Sequence, residues 1–126
     1  MNLEAVFAVL KPDMSVDTID VTTDVYEQLD SRFNNFIGHS LVAMHSFTAD
    51  WGGWEKHPKG DELVVLISGS VRMALKLPEG ERETELNQPG SYVVVPRGVW
   101  HTAKVDAAAS LLFITPGEGT EHSSQP

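Results

Sequence analysis

The sequence predicts an all-β domain of antiparallel strands, folded as a sandwich or barrel, with one short helix near the N-terminus. Short runs rich in Val, Ile, Leu and Phe recur from residue 41 onward, and Gly, Pro, Asn and Asp separate them at fairly even intervals. This spacing is typical of antiparallel sandwiches and barrels. The chain has 126 residues, of which 41% are hydrophobic, so it is long enough to bury one core.

Six apolar runs are predicted to form the strands, at residues 41–47, 62–68, 71–77, 92–96, 101–105 and 110–115. Gly69 lies between two of these runs and marks a tight turn. The pairs Pro89–Gly90 and Pro96–Arg97, the latter followed by Gly98, mark two more turns. The strands are therefore joined by short connections.

The helix is predicted from a capping box and an apolar stripe. Asp24 is followed three residues later by Glu27, and Val25, Leu29 and Phe33 then recur every four residues on one face. We expect this stripe to pack on the outside of the main body, and we assign the helix no chemistry.

No internal repeat and no linker divides the chain, which we expect to be a single domain over 1–126. A helical and strand extension is expected over about 1–38 and the barrel over about 39–116. Residues from about 117 to 126 are rich in Gly, Ser, Gln and Pro, and we expect them to be a flexible tail.

Two strands are apolar on both faces. In the run 62–68, Val64 and Leu66 share one face, while Leu63, Val65 and Ile67 share the other, and 111–114 is similar. A strand with one face in water would alternate, so something must cover the outside of these strands. The candidates are the N-terminal segment folded back or a second copy of the chain, and we predict a homodimer partly on this ground.

The charge of the chain excludes some partners. Nine basic and eighteen acidic side chains give a net charge of −9, which repels nucleic acids and anionic membranes. The acidic run 79–85 is interpreted as a solvated loop or edge strand. The chain has no cysteine, and the segment 1–11 lacks a basic start and is interrupted by Glu4, unlike a signal peptide. A cytoplasmic protein is therefore expected.

Metal-competent side chains cluster around residues 55–62. Glu55 and His57 are two residues apart, so in an extended chain they share a face. Glu62 opens a strand that can run back antiparallel after the turn at 58–60, which would bring the three side chains together. Imidazole and carboxylate ligands suit Zn, Fe, Mn, Ni or Co, although a His or Glu in a loop can also be merely solvated.

Two separated motifs resemble those of the cupin superfamily. The second cupin motif, G-x5-P-x-G-x2-H-x3-N, is matched from Gly90 to His101, with Val105 in place of the final Asn. The first, G-x5-H-x-H-x(3,4)-E-x6-G, is matched by His57, Glu62 and Gly69. Its opening Gly is replaced by Ala49 and its first His by Glu55.

The resemblance implies a jelly-roll barrel, that is, a double-stranded β-helix, and a metal site. By position, His57, Glu62 and His101 resemble metal ligands of the family, and Glu55 occupies the place of the first His. The implied cofactor is one divalent ion, Fe, Mn, Zn or Ni, in a site with one more negative charge than usual. Alternatively, the site is metal-free and its carboxylates pair with the histidines.

The function implied is a metal-dependent cupin that binds and transforms a small organic molecule, as a dioxygenase, isomerase or lyase. Glu55 or Glu62 could act as acid or base when it is not bound to metal. The alternative is a non-catalytic module that binds a small molecule or a metal, because one fold supports many functions.

Other conspicuous residues have two interpretations each. Trp51 and Trp54 either stack on a ligand at the mouth of the barrel or plug it as core. His45 is either a core histidine or, if its face is the interior, a ligand contact. His122 is expected to be exposed in the tail.

The basic side chains bear on the kind of substrate. Arg72, Lys76 and Lys104 are out of phase with the apolar residues of their strands, so they are expected to point outward. Binding of a phosphorylated substrate favours basic side chains in the pocket, so the outward placement of these three residues argues against such a substrate.

Overall fold

Two antiparallel β-sheets face each other in the computed structural model, which describes residues 1–126. The elements are strands β1 (Val6–Leu10) and β2 (Val16–Asp20), helix α1 (Val25–Arg32), a 3₁₀ turn (Asn34–Phe36), and strands β3 (Ser40–Phe47), β4 (Trp54–Lys56), β5 (Glu62–Gly69), β6 (Val71–Leu77), β7 (Gly80–Leu86), β8 (Tyr92–Val95), β9 (His101–Lys104), β10 (Ala109–Thr115) and β11 (Glu121–Ser123). The larger sheet has the order β2-β1-β3-β10-β5-β8, and the smaller has β11-β4-β9-β6-β7. Both helical segments are far too short to cross a membrane.

The six predicted strands are all present, and each end lies within one residue of its prediction. Five further strands, β1, β2, β4, β7 and β11, were not individually predicted. The acidic run forms β7, which pairs only with β6 and is an edge of the smaller sheet. This confirms the edge-strand interpretation, since charged side chains on an edge discourage pairing with other chains.

The main core lies between the two sheets. Its buried side chains come from β5, β6, β7, β8, β9, β10 and the segment after β9: Val64, Leu66, Val71, Met73, Leu75, Leu86, Val95, Ala103, Val105, Ala109, Leu111 and Phe113. On β5, Val64 and Leu66 are fully buried, whereas Ile67 on the opposite face is exposed. The face with Val64 and Leu66 therefore points inward and the face with Ile67 points outward, a choice that the sequence left open.

The N-terminal segment extends the larger sheet instead of covering its outside. Strand β1 pairs with β3, with Val9 opposite Leu41, and β2 forms a hairpin on the far side of β1. The outward faces of β5 and β10 are thus left without a covering segment of the chain. The first of the two candidates for covering them is wrong.

Helix α1 buries its predicted stripe, but in a different place from that expected. Val25, Leu29 and Phe33 pack in a second core with Val9 and Leu41 of β1 and β3. Because Leu41 shares its face with the residues that line the interior, the helix covers the inner face of the larger sheet, where the smaller sheet does not reach. The expectation that it packs on the outside, away from any chemistry, is wrong.

The predicted capping box is not formed. Asp24 has φ −110° and ψ 20°, which is not the extended conformation that lets an N-cap side chain reach the first free N–H groups. Its carboxylate instead accepts hydrogen bonds from Thr22 Oγ1, at 2.6 Å, and Gln28 Nε2, at 2.8 Å. The stripe, not the cap, fixes the position of the helix.

Replacing Gly69 with Ala tests the turn between β5 and β6. Gly69 has φ +81°, and a Cβ there would overlap the carbonyl oxygen of Ala108. We expect Gly69→Ala to lower the free energy of unfolding by about 2 kcal/mol or more. Gly52→Ala is the control, since a Cβ at Gly52 meets nothing within 4 Å. Urea denaturation measures both, and equal stabilities would contradict the assignment.

Candidate metal centre

Four predicted residues meet where the two sheets come together. Glu55 of β4 and His101 of β9 are direct partners in the smaller sheet. Glu62 is the first residue of β5 in the larger sheet, and His57 lies in the connection from β4 to β5. That connection crosses between the sheets, so β4 and β5 do not form the predicted hairpin. The side chains nevertheless converge, as the sequence predicts.

The functional atoms of these side chains are close together. Glu62 Oε1 lies 3.0 Å from His101 Nε2, and Glu62 Oε2 lies 3.2 Å from His57 Nε2. Glu55 Oε2 lies 3.7 Å from His57 Nε2. The candidate ligand atoms of Glu55, His57 and His101 all fall within 4.8 Å of one another. Glu62 bridges the two histidines, and only Glu55 is partly exposed.

Hydrogen bonds on the far side of each imidazole ring orient the two histidines. His101 Nδ1 lies 3.1 Å from the carbonyl oxygen of Val99, so it carries the proton and donates. His57 Nδ1 lies 2.9 Å from Thr120 Oγ1, whose own proton goes to the carbonyl oxygen of Gly117. His57 Nδ1 must therefore also donate. In the neutral rings, both Nε2 lone pairs then face the cluster, which is the arrangement of metal-bound histidines.

The cluster contains buried polar atoms without aligned partners. His57 Nε2, His101 Nε2 and Glu62 Oε1 make no aligned hydrogen bond, although each histidine nitrogen lies at ion-pair distance from one oxygen of Glu62. Buried polar atoms are nearly always hydrogen-bonded, so three such atoms in one place need an explanation. A divalent cation satisfies converging nitrogen and carboxylate lone pairs. The residues present therefore fit a metal ion.

Glu62 and His101 shift each other's pKa. Burial by itself raises the pKa of Glu62, but the nearby His101 and His57 outweigh this effect and lower the pKa to about 2. Burial likewise lowers the pKa of His101, but Glu62 raises it above the ordinary 6.5. Glu62 and His101 thus each stabilise the charged form of the other.

A cavity of about 1320 Å³ opens above the cluster. Glu55, His57 and Glu62 line one part of it, and residues of α1, β3, β10 and the C-terminal segment line the rest. No Lys or Arg is among its lining residues. The predicted outward orientation of Arg72 and Lys104 agrees with this, since both pair with Glu83 at the surface.

The other singled-out side chains divide between the core and the cavity. Trp51 does both, since its ring packs on Phe113 and Phe47 and also lines the cavity. Trp54 lines the cavity too, with Lys76 Nζ 4.7 Å from its ring centroid. His45 faces the interior and lines the cavity, where it is open to a ligand. This agrees with the second of the two interpretations given for it above.

The C-terminal residues, expected to be a flexible tail, instead fold over the centre. Strand β11 pairs with β4, placing His122 opposite Glu55. His122 is 70% exposed, as predicted, but its Nε2 lies 3.4 Å from Glu55 Oε1. Thr120, which orients His57, and Tyr26 of α1, which lines the cavity, were also missed. No sequence signal marks these residues, because only long-range pairing brings them to the site.

The stability of the metal-free protein is expected to depend on pH through Glu62 and His101. The contribution of Glu62 is present above pH 4.5 and is lost as pH falls toward about 2. The contribution of His101 is present below pH 6.5 and is lost as pH rises through its elevated pKa. Calorimetry should therefore show the highest Tm between these limits.

Glu62→Gln tests whether the charge of Glu62 causes this pH dependence, because the substitution removes the charge but keeps the shape of the side chain. We expect its Tm profile to be flatter on both sides of the maximum. A variant profile with the same shape as that of the parent protein would show that other groups set the pH dependence.

No family model and no curated protein matches this chain in sequence. Among solved structures, it is similar to a cupin-2 domain-containing protein from Shewanella frigidimarina, with 19% identity, a TM-score of 0.52, and coverage of 61% of this chain and 70% of that one. Hydroquinone 1,2-dioxygenase from Sphingomonas sp. TTNP3 is also similar, with 17% identity, a TM-score of 0.53, and coverage of 68% and 61%.

An oxalate oxidase is similar as well, with 16% identity, a TM-score of 0.55, and coverage of 64% of this chain. The alignment takes in 44% of the oxalate oxidase, so this chain matches less than half of that protein. At these identities the likeness concerns the arrangement of the strands. The jelly-roll barrel expected from the two motifs is confirmed.

Proposed function

Starting from the cupin fold that this chain has, we propose that it is a metal-dependent enzyme acting on a small organic molecule in its cavity. The observation that carries the proposal is the set of three buried atoms of His57, Glu62 and His101 that lack an aligned hydrogen bond, beside a cavity of about 1320 Å³. Such a site has both a place for a cation and room for a substrate next to it.

The proposed ligands are Glu55, His57, Glu62 and His101, holding one divalent ion, Fe, Mn, Zn or Ni. Two imidazoles with two carboxylates make a harder donor set than three imidazoles with one, which favours Mn or Fe over softer ions. The bound ion would supply Lewis acidity, or a place where substrate and dioxygen meet.

Glu55 is the side chain best placed to move a proton when it is not bound to metal. It is one-third exposed and lines the cavity, beside His122 at 3.4 Å. Glu62, in contrast, is buried and accepts a hydrogen bond from Thr115 Oγ1 at 2.6 Å, besides its contacts with the two histidines. We therefore assign the possible acid and base role to Glu55 and a purely ligating role to Glu62.

Similar structures include a dioxygenase and an oxidase, which supports turnover over binding alone. A panel of small molecules incubated with the metal-loaded protein, followed by mass spectrometry, separates the alternatives. Conversion in air but not under nitrogen would support an oxygenase, and conversion under both would support an isomerase or lyase. Stoichiometric metal without any conversion would favour the non-catalytic binding module.

Metal titration tests the centre itself. We expect one divalent ion per chain, and Thr120→Val should weaken its affinity about 10- to 100-fold, since the hydroxyl that orients His57 is lost. Thr120→Ser keeps that hydroxyl and is the matched control, with affinity near the parent value. Calorimetry in competition with a chelator measures all three proteins. Absence of metal binding by the parent protein would overturn the proposal.

A homodimer remains part of the proposal because the outward face of the larger sheet is apolar. We define the outer apolar face as the outward residues of β3, β10, β5 and β8: Val42, Met44, Leu112, Ile114, Leu63, Val65, Ile67, Tyr92 and Val94. These residues are neighbours across the strands; for example, Leu112 lies opposite both Met44 and Val65.

No charged side chain interrupts this face, whereas the chain as a whole carries a net charge of −9. Two like-charged copies repel each other least along an uncharged surface, and a twofold axis lets the same face serve both copies. The second copy is thus the occupant that we propose for this face.

Val94→Lys tests the dimer, because Val94 is 48% exposed and its replacement leaves the core intact. We expect the parent protein to sediment as a dimer and the variant to dissociate at least tenfold more readily, since a lysine would be desolvated in the interface. Met14→Lys, at a position 92% exposed in the β1–β2 connection, is the control and should stay dimeric. A parent protein that remains monomeric at all concentrations would refute the dimer.

Partners and location follow from composition. The net charge of −9 argues against nucleic acids and anionic membranes as partners, and it leaves a small molecule as the proposed ligand. A chain without cysteine suits a reducing compartment, and we propose the cytoplasm.

A further inference from the structure

A continuous series of rings leads from the metal centre along one wall of the cavity. The ring of Trp51 lies 6.1 Å from that of His101 and 6.0 Å from that of Phe113, measured between centroids. Phe113 in turn lies 5.9 Å from His45, and Tyr26 Oη lies 3.3 Å from His45 Nε2. The wall therefore presents aromatic surface from the metal centre to helix α1.

The carboxylate side chains that line the cavity face no Lys or Arg there. Its acidic residues are Asp30, Asp50, Glu55 and Glu62, and there is no Lys or Arg to oppose them. The one imidazole on the aromatic wall away from the centre, His45, has its pKa lowered by burial, although Glu4 and Glu55 oppose this shift. A carboxylate or phosphate that enters this cavity would lose its hydration without gaining a protein cation in return.

The basic side chains of the smaller sheet already have partners within the protein. Arg72 donates to Asp106 at 2.9 Å, and Lys104 pairs with Glu83 at 2.8 Å. Lys76 lies over the ring of Trp54 and donates to the carbonyl oxygen of Pro126. None of the three lines the cavity, so an anionic substrate has no positively charged side chain to meet there.

We propose that the cavity selects an uncharged phenol-like molecule, with its ring against Trp51 and Phe113 and a polar substituent on the Tyr26–His45 pair. The inference rests on the proposed function in that it names the substrate class of the same cavity. Aromatic rings prefer offset or edge-on contact with other rings, which this wall offers over several side chains.

The Tyr26–His45 pair supplies the polar end of the recognition. The two side chains come from different elements, α1 and β3, and meet at hydrogen-bond distance. Tyr26 is 57% exposed, so its phenolic oxygen has a free position for a hydroxyl or amide group of the ligand. We infer that Tyr26 is a specificity-determining residue and not part of the core.

The test compares 4-hydroxybenzamide with 4-hydroxybenzoate, which share a ring and a hydroxyl group but differ in charge. Calorimetry on the metal-free full-length chain is decisive, because a carboxylate could otherwise bind the ion directly. We expect the amide to bind at least tenfold more tightly than the carboxylate. Equal affinities, tighter binding of the carboxylate, or no binding of either would overturn the inference.

Tyr26→Phe should weaken amide binding about tenfold, because it removes one hydrogen bond to the ligand. Tyr92→Phe, at the other tyrosine, which lies on the outer apolar face, is the matched control and should bind as the parent does. An unchanged affinity in Tyr26→Phe would remove Tyr26 from the site. Metal binding is titrated in a separate experiment. A protein that binds the amide but no metal would therefore refute the proposed function and still support this inference.

Discussion

The buried carboxylate of Glu62 is the interaction on which the site depends. It lies at the start of β5 in one sheet, and it contacts His101 of the facing sheet and His57 of the connection between them. A charge removed from water must be balanced locally, so these three side chains are held together by electrostatics as well as by packing. His101 and His57 lower the pKa of Glu62, and a bound cation would balance its charge more completely. The junction of the sheets is thus also the proposed metal site.

The surrounding chain supports this junction from outside. Thr120 fixes the ring of His57, and the carbonyl oxygen of Val99 fixes that of His101. Thr120 belongs to the C-terminal segment. The pairing of β11 with β4 therefore helps to orient His57, a proposed metal ligand. The C-terminal residues, whose composition is typical of a flexible tail, therefore affect the geometry of the centre directly.

The cavity combines an acidic end with an aromatic wall, and this combination narrows the chemistry. The similar structures include proteins named for oxalate and for hydroquinone, which are very different substrates on one fold. Away from the metal centre, the aromatic wall and the absence of Lys and Arg favour an uncharged ring over an anion, as we propose. One fold supports many substrates, so the proposed substrate class rests on the side chains that line the cavity.

Local alternation along an extended chain was enough to predict six of the eleven strands and the proximity of Glu55 and His57. The second motif also singled out His101, which the structure places beside Glu62. Only the tertiary structure decided that β4 and β5 belong to different sheets, that α1 covers the inner face, and that Thr120 and Tyr26 reach the cavity. These features rest on contacts between residues far apart in the chain, which the periodicity of short segments does not encode.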